Sequence, residues 1–357
     1  MSRQNGFGAL RLMLALLVIL SHAPEMAYGD RHREILTSLF GTLSFGDLAV
    51  DGFFIISGYL ISASMLSNSK GFLRRRFARI YPGFVVASAF CLFIVGPLGG
   101  ADLNALRPQE WAMAVLNIAR LRPPQLDDAF AGSHYAALNG SMWTIRLEFA
   151  CYLLTCLLGL VGMLRRPRLM LGLTGMLALT HIWAQGHPLP NTPKVVVALL
   201  GKPEDLVRLT LAYMAGSCFR LVSPAFNGRV ALAGALVLIP AMFSHALAET
   251  ALVLLGGYGL LWLAFGIKNP LFLRINARED ISYGVYLYAW PIGKLLFHYA
   301  PGMNVWLNAA VTACLALVAG WISWKLVEQP AMRLGRTRPS GPQTPLATPS
   351  PQFRTLP

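Results

Sequence analysis

Long apolar stretches alternate along the chain with short breaks that contain Pro, Gly or charged residues. A bilayer core of roughly 30 Å requires about 20 helical residues per crossing, and ten windows approach that length. These windows are residues 7–23, 47–66, 80–98, 142–164, 168–184, 206–222, 229–247, 249–267, 281–300 and 304–326. A further apolar stretch at 110–121 is too short to span and predicts a helix at the interface or on the bundle. The pattern therefore predicts an all-α polytopic integral membrane protein with about ten transmembrane helices.

The composition of the chain also indicates a membrane protein. Of its 357 residues, 55% are hydrophobic and 13% are charged, whereas a soluble domain carries about 25% charged residues. This excludes an ordinary water-soluble enzyme. The five cysteines lie within apolar stretches and form no C-x-x-C pair, so we predict neither a disulfide framework nor a metal site.

The chain carries a net charge of +14, which in a soluble protein would indicate a nucleic-acid partner. In a membrane protein, basic residues instead concentrate in cytoplasmic loops. Placing the N-terminus in the cytoplasm puts 19 of the 30 Lys and Arg residues on that side, seven on the outer side and four within spans. With an even number of spans, both termini are cytoplasmic. Topology therefore explains most of the charge, and we predict no nucleic-acid partner.

The end of the chain differs from the rest. Residues 333–357 are rich in Pro, Ser and Thr and have no apolar periodicity, which is typical of disordered, solvated segments. We expect a transmembrane domain over residues 1–332 and a disordered cytoplasmic tail over residues 333–357.

His22 is the first candidate for chemistry. Ionisable groups within spans cost free energy unless they are paired or hydrated, so each one is a functional hypothesis. His22 follows Arg11 by eleven residues, about 16 Å along a helix. A neutral imidazole at that depth can take a proton from a hydroxyl, as a general base does. The alternative is a histidine at the outer interface that bonds a backbone carbonyl.

Glu148 is a candidate partner for His22. It lies about six residues below the outer surface in the segment that begins at Trp143, at a depth comparable with that of His22. Such a carboxylate can orient the imidazole, as the acid of a catalytic triad does. An ion pair with Arg146 or Arg208 is equally compatible with the sequence. Two further acidic residues, Asp47 and Asp51, offer the same kind of partner from the second predicted span.

Two other segments carry functional groups. Arg76 and Arg79 are three residues apart, so on a helix they share a face and can clamp a phosphate-rich ligand. The alternative is an anchor to anionic lipid. The segment Ser282–Pro291 brings several hydroxyl-bearing side chains into the ninth predicted span, where Pro291 is expected to kink the helix. By itself, that segment is also compatible with an aromatic belt.

Taken in order, these segments resemble the membrane-bound acyltransferase 3 family, whose members O-acylate sugars, surface polysaccharides and related envelope molecules. The similar elements are the first-helix R-x10-H (Arg11, His22), FFxxSGF (residues 53–59), R-x-x-R-I-x-P (76–82), W-[ST]-L-x-x-E (143–148), S-Y-x-x-Y-L-x-H-x-P (282–291) and E-x-P (328–330). They extend over about residues 7–332. One position departs from the pattern, because Ala289 stands where the family has a histidine. Tyr288 and Trp290 are the candidate substitutes.

The resemblance implies transfer of an acyl group, usually acetyl, from cytosolic acyl-CoA to an acceptor hydroxyl that is presented on the outer side of a bacterial inner membrane. It implies catalytic roles for His22 and Glu148, cofactor contacts for Arg11, Arg76, Arg79, Tyr283 and Tyr286, and substrate contacts for Asp51, Ser57 and Trp143. The expected acceptor is a carbohydrate or a lipid-linked sugar, but its identity stays open: a polysaccharide, a lipid-linked precursor, an oligosaccharide signal and a small secondary metabolite are all compatible with the sequence. The choice between direct transfer and an acyl-histidine intermediate also stays open. The rival interpretation is a transporter or lipid flippase, which explains the spans but not the order of the motifs.

Overall fold

The computed structural model describes residues 5–187, 197 and 201–335, and within them every regular element is helical. The principal helices are α1 (Phe7–Tyr28), α2 (Phe45–Ser67), α3 (Phe72–Leu98), α4 (Pro108–Ala119), α5 (Trp143–Leu160), α6 (Pro167–Ala184), α7 (Pro203–Val222), α8 (Gly228–Ala241), α9 (Ala248–Gly266), α10 (Ser282–Tyr299) and α11 (Val305–Gly335). Shorter helices include Ile35–Phe40 and Pro270–Arg274. The predicted all-helical fold is confirmed, and α4 coincides with the weak helix expected at 110–121.

Six of the described helices are long and apolar enough to cross a membrane, namely α1, α2, α3, α5, α9 and α11. The other four predicted windows also hold helices, α6, α7, α8 and α10, but these are shorter or more polar. Helix α11 continues to Gly335, slightly beyond the predicted start of the tail at residue 333. The remainder of the predicted tail, 336–357, lies outside the described residues.

Glycines let the helices at the centre of the bundle approach closely. A Cβ atom at Gly58 of α2 would lie 1.9 Å from the carbonyl oxygen of Tyr213 in α7, and one at Gly216 would lie 2.0 Å from that of Ile55. Helices α10 and α11 meet in the same way through Gly284 and Gly320. Small residues at such crossings are typical of helix pairs in membranes. Gly58 belongs to the FFxxSGF-like element, so helix packing explains why this position of the motif is a glycine.

Helices α1 and α10 lie side by side and run in the same direction. Arg11 near the start of α1 bonds Asp280, which precedes α10, and His22 near the other end contacts Trp290. We call these two ends of the bundle the Arg11 end and the His22 end. A position along either helix therefore also gives a depth in the bundle.

The segment before α5 enters the bundle instead of remaining on its surface. The Asn139 side-chain amide donates to the Leu287 carbonyl at 2.7 Å, and the Trp290 indole donates to the Ala137 carbonyl at 3.2 Å. Gly140 lies against the Trp290 ring. Because this backbone packs beside α10, helix α5 begins inside the bundle, where Met142 and Thr144 are buried.

Candidate active site

A cavity of about 470 Å³ lies between α1, α2, α3, α5 and α10. It brings together seven of the ten residues that the sequence singled out: Arg11, Ser57, Arg76, Arg79, Glu148, Tyr283 and Tyr286. Three others, His22, Asp51 and Trp143, are not among its lining residues. Four arginines, Arg11, Arg75, Arg76 and Arg79, line the cavity at the Arg11 end. Its deepest lining residues include Phe53, Thr144 and Tyr286.

Arg79 is held by carboxylates of the protein. Its guanidinium bonds Asp280 Oδ2 at 2.7 Å and Glu328 Oε2 at 3.0 Å. Arg11 also bonds Asp280. Burial raises the pKa of Asp280, but Arg11 and Arg79 outweigh it and lower that pKa to about 2. The Glu328 of the E-x-P element is fully buried. Both Arg79 and Arg11 are therefore partly neutralised before any ligand arrives.

The surroundings of Arg76 differ from those of Arg79. The Arg76 guanidinium lies 5.9 Å from the ring centres of Phe72 and Tyr152, and none of the described carboxylates forms an ion pair with it. Its Nε is buried and has no hydrogen-bond partner in the described part of the chain. An arginine without an ion-pair partner that faces a cavity can bind an anion such as phosphate.

Glu148 faces the same cavity. Its Oε1 accepts hydrogen bonds from the hydroxyl of Tyr152 at 2.5 Å and from that of Ser57 at 3.3 Å. The expected contact between Glu148 and His22 is therefore wrong, and so is the alternative ion pair with Arg208, which binds other carboxylates. The reason is the buried start of α5. Counting from Trp143 as if it lay at the surface placed Glu148 too near the His22 end.

His22 instead pairs with Glu25 on its own helix. The Glu25 carboxylate accepts from His22 Nδ1 at 2.8 Å and from Arg31 Nε at 2.6 Å, and Glu25 is 2% exposed. In the neutral tautomer that carries its proton on Nδ1, Nε2 is the acceptor nitrogen, and Nε2 bonds no described residue. This is the arrangement that a general base needs. The sequence contained the signal, because residues three apart share a helix face.

Trp290 links His22 to the cavity. Its ring lies edge-on to the imidazole at 4.8 Å between centroids. Tyr286, which lines the cavity, precedes Trp290 by four residues, about 6 Å along α10. The Tyr286 ring packs edge-on against Phe53 at 6.0 Å, and its hydroxyl bonds Thr144 at 2.7 Å. The cavity thus ends about one helical turn from His22, and the Phe53 and Tyr286 rings lie at that end.

Two of the predicted substrate residues lie elsewhere. Asp51 is fully buried and bonds Arg208 at 3.2 Å, in a cluster that also contains Asp47 and Glu249. Trp143 is the first residue of α5 and packs against the apolar core. Neither side chain is presented to the cavity, because Arg208 draws Asp51 away and the buried start of α5 encloses Trp143.

The unusual Ala289 packs in a small apolar cluster with Ala15 and Ile19 of α1. Of the two candidate substitutes for the family's histidine, Trp290 contacts His22, whereas Tyr288 packs against Phe90. Neither neighbour of Ala289 therefore supplies an imidazole in place of the family's histidine.

Comparison with known proteins identifies the family of this chain. The Acyl_transf_3 family model, described as an acyltransferase domain, matches residues 4–325. The chain is 27% identical to an O-acetyl transferase of Shigella phage Sf6 over 346 residues, which cover 92% of this chain and 96% of the relative. It is 26% identical to Nodulation protein 10 of Rhizobium leguminosarum bv. viciae (93% and 94% covered) and to Acyltransferase MdmB of Streptomyces mycarofaciens (92% of each). No solved structure matches the chain.

Proposed function

This chain belongs to the acyltransferase 3 family, and from that premise we propose that it is an integral-membrane O-acyltransferase whose donor is cytosolic acyl-CoA. The acyl group is most simply acetyl, and the acceptor is a hydroxyl of a sugar, a polysaccharide or a lipid-linked sugar. One observation carries the proposal. A cavity lined by Arg76, which forms no ion pair with a described carboxylate, ends about one helical turn from a histidine that is bonded to a carboxylate.

The proposed topology has ten spans, with both termini in the cytoplasm of a bacterial cell and the protein in its inner membrane. All ten apolar windows hold helices, and an even number of spans returns the chain to its starting side. The distribution of basic residues favours the Arg11 end as the cytoplasmic one. The transmembrane domain comprises residues 1–332.

In this proposal, the donor occupies the cavity from the Arg11 end. Arg76 binds a CoA phosphate, with Arg79 and Arg11 adding positive charge beside it. An extended pantetheine arm is on the order of 15–20 Å, comparable with the roughly 16 Å of helix between Arg11 and His22. Tyr283 and Tyr286 line its path. The Glu148 carboxylate, with Ser57 and Tyr152, serves the donor channel by accepting hydrogen bonds from the amide groups of that arm.

In the transfer step, His22 Nε2 takes the proton of the acceptor hydroxyl, and Glu25 stabilises the imidazolium that forms. The hydroxyl oxygen attacks the thioester carbonyl, so that a C–O bond forms and the C–S bond breaks. The proton on His22 then passes to the departing CoA thiolate. Movement of the Phe53 and Tyr286 rings opens the last turn between the thioester and His22. An acyl-histidine intermediate uses the same groups in two steps.

Acceptor class follows from the relatives only in outline. One of them is named an O-acetyl transferase, which supports a hydroxyl acceptor and an acetyl donor here. Carbohydrates present many hydroxyls of ordinary acidity, and a general base raises the nucleophilicity of such a group.

Replacement of His22 tests the proposal. We expect His22→Ala cells to lose an acetyl mark from an envelope glycan or a secreted metabolite, as measured by mass spectrometry of each fraction. His245→Ala removes an exposed histidine and serves as the matched control. Unchanged acylation in every fraction, with normal levels of His22→Ala protein in the membrane, would contradict the proposal.

A further inference from the structure

A second cavity, of about 450 Å³, lies at the His22 end of the bundle. Its walls are the last turn of α1, the segment around Phe130–His134, the end of α10 and the turn that leads into α11. The chemistry proposed above does not use these residues.

This cavity is adjacent to His22. Met26 lines it and follows His22 by four residues on α1, while Lys294 lines it and follows Trp290 by four residues on α10. Residues four apart lie on the same helix face, about 6 Å from each other along the axis. The Met26 side chain also approaches Gly293. A molecule in this cavity therefore lies about one helical turn from the imidazole.

Lys294 gives the cavity a buried positive charge. It is 3% exposed, its Nζ donates to Ser133 Oγ at 2.9 Å, and it lies 5.4 Å from the centre of the Phe130 ring. None of the described carboxylates forms an ion pair with Lys294, and no Asp or Glu lines the cavity. The closest acidic residue on α1, Glu25, is bonded to Arg31 and His22. A buried ammonium without a counter-charge is costly, and a bound anion removes that cost.

The remaining polar groups of the cavity suit the same ligand. His134 and His298 add ring nitrogens to the lining, and His298 packs edge-on against Phe130 at 5.4 Å. Phe130 has a φ of 55°, which bulky residues rarely adopt,. The Phe130 N–H donates to the Gly99 carbonyl at 2.7 Å. The Phe130 ring beside Lys294 is therefore held by this backbone hydrogen bond and by its contact with His298.

We propose that this cavity binds an anionic group of the acceptor, a carboxylate or a phosphate, and that Lys294 recognises it. The acceptor is then an acidic or phosphorylated sugar whose neighbouring hydroxyl reaches His22. The role of this cavity in the reaction rests on the proposed function, whereas the binding of an anion to it does not.

Binding of three small probes tests the inference. The full chain, in nanodiscs of phosphatidylcholine, is titrated with glucuronate, glucose 1-phosphate and glucose. We expect at least one of the two anions to bind at least tenfold more tightly than glucose. The two anionic probes distinguish a carboxylate from a phosphate as the recognised group.

Variants at Lys294 assign the effect to this cavity. Lys294→Met removes the charge at similar volume and is expected to abolish the preference for the anion, whereas Lys294→Arg retains it. Lys268→Met, which removes an exposed lysine near the start of Pro270–Arg274, is expected to change nothing. If Lys294→Met does not fold, Ser133→Ala, which removes the hydroxyl bonded to Nζ, is expected to weaken anion binding severalfold.

Two results would overturn the inference. One is that neither anion binds more tightly than glucose, including the case in which no probe binds. The other is an unchanged preference in Lys294→Met. Binding of acetyl-CoA to the same samples is measured in parallel and is expected to be equal in wild type and Lys294→Met. If the wild-type protein does not bind acetyl-CoA, this would count against the proposed function. It would not contradict the inference that the cavity prefers an anion.

Discussion

At the residue scale, Glu25 determines which nitrogen of His22 is available for chemistry. A carboxylate that accepts from Nδ1 fixes the tautomer and stabilises the imidazolium, as in other His-carboxylate pairs. We expect Glu25→Gln to lower kcat about 10²–10⁴-fold with little change in KM for acyl-CoA. Glu148→Gln is expected to act mainly on that KM. Steady-state kinetics of the two variants check this, and a Glu25→Gln effect confined to KM would contradict the role given to Glu25.

The arginines of the R-x-x-R element are expected to behave differently when replaced. Arg76 forms no ion pair with a described carboxylate, so Arg76→Met is expected to remove only the proposed charge-assisted contact with the donor, worth about 1.5–3 kcal/mol, or about 10- to 150-fold in affinity for acyl-CoA. Arg79→Met instead leaves the buried Glu328 without its ion-pair partner and leaves Asp280 with Arg11 alone, at a cost of about 3–5 kcal/mol of stability. Donor titrations and thermal unfolding of both variants separate these outcomes. Equal losses of stability would refute the distinction.

Asp280 links stability to pH. Its pKa is about 2 because Arg11 and Arg79 stabilise its charged form, below the value of about 3.9 for an unfolded chain. A depressed folded pKa means that the stabilisation is complete above about pH 4 and disappears as the pH falls through 2. Asp280→Asn is therefore expected to be less stable than wild type at pH 6, with the difference narrowing towards pH 2. Unfolding temperatures across that range check this. A difference that does not depend on pH would contradict it.

Much of the residue-level site was predictable from the resemblance to the acyltransferase 3 family, together with the spacing of Arg76 and Arg79. Arg11, Arg76, Arg79, Tyr283 and Tyr286 do line one cavity. Partners were harder to predict. Asp280 and Glu328 bond Arg79 from segments about 200 or more positions away. The hydrophobic periodicity of a sequence does not indicate which distant residues will pair. Glu25 was the exception, since its three-residue spacing from His22 is visible in the sequence.

At the element scale, the contact between α2 and α7 depends on glycine. A Cβ at Gly58 would lie 1.9 Å from the Tyr213 carbonyl oxygen, so Gly58→Ala must push two backbones apart. We expect a loss of stability of at least about 1–3 kcal/mol. Gly175→Ala in α6, where nothing lies within 4 Å of the added methyl group, is the control and is expected to change stability by less than about 1 kcal/mol. Similar unfolding temperatures for the two variants would contradict this packing account.

Helix positions were predictable because apolar runs of membrane length are rare in other contexts. The depth of α5 was not, because it depends on how residues 137–142 pack beside α10. Hydrogen bonds from Asn139 and Trp290 hold that irregular backbone inside the bundle, where buried polar groups need protein partners. This one segment accounts for the misplaced partnership between Glu148 and His22.

At the scale of the whole molecule, the proposed donor and acceptor sites lie at opposite ends of one bundle. The cavity with Arg76 opens at the Arg11 end, the cavity with Lys294 lies at the other end, and His22 lies between them. Composition and charge predicted a membrane protein with a basic cytoplasmic side. They carried no information about two cavities, since cavity walls are assembled from residues that are distant in sequence.

The most direct test of this account supplies labelled acetyl-CoA to one side of sealed membrane vesicles at a time. Inverted vesicles expose the proposed cytoplasmic Arg11 end to the medium, and right-side-out vesicles expose the His22 end. The account predicts that label reaches vesicle glycans only in inverted vesicles, and that His22→Ala abolishes this transfer while His245→Ala does not. Equal labelling from both sides, or full labelling with His22→Ala, would contradict it.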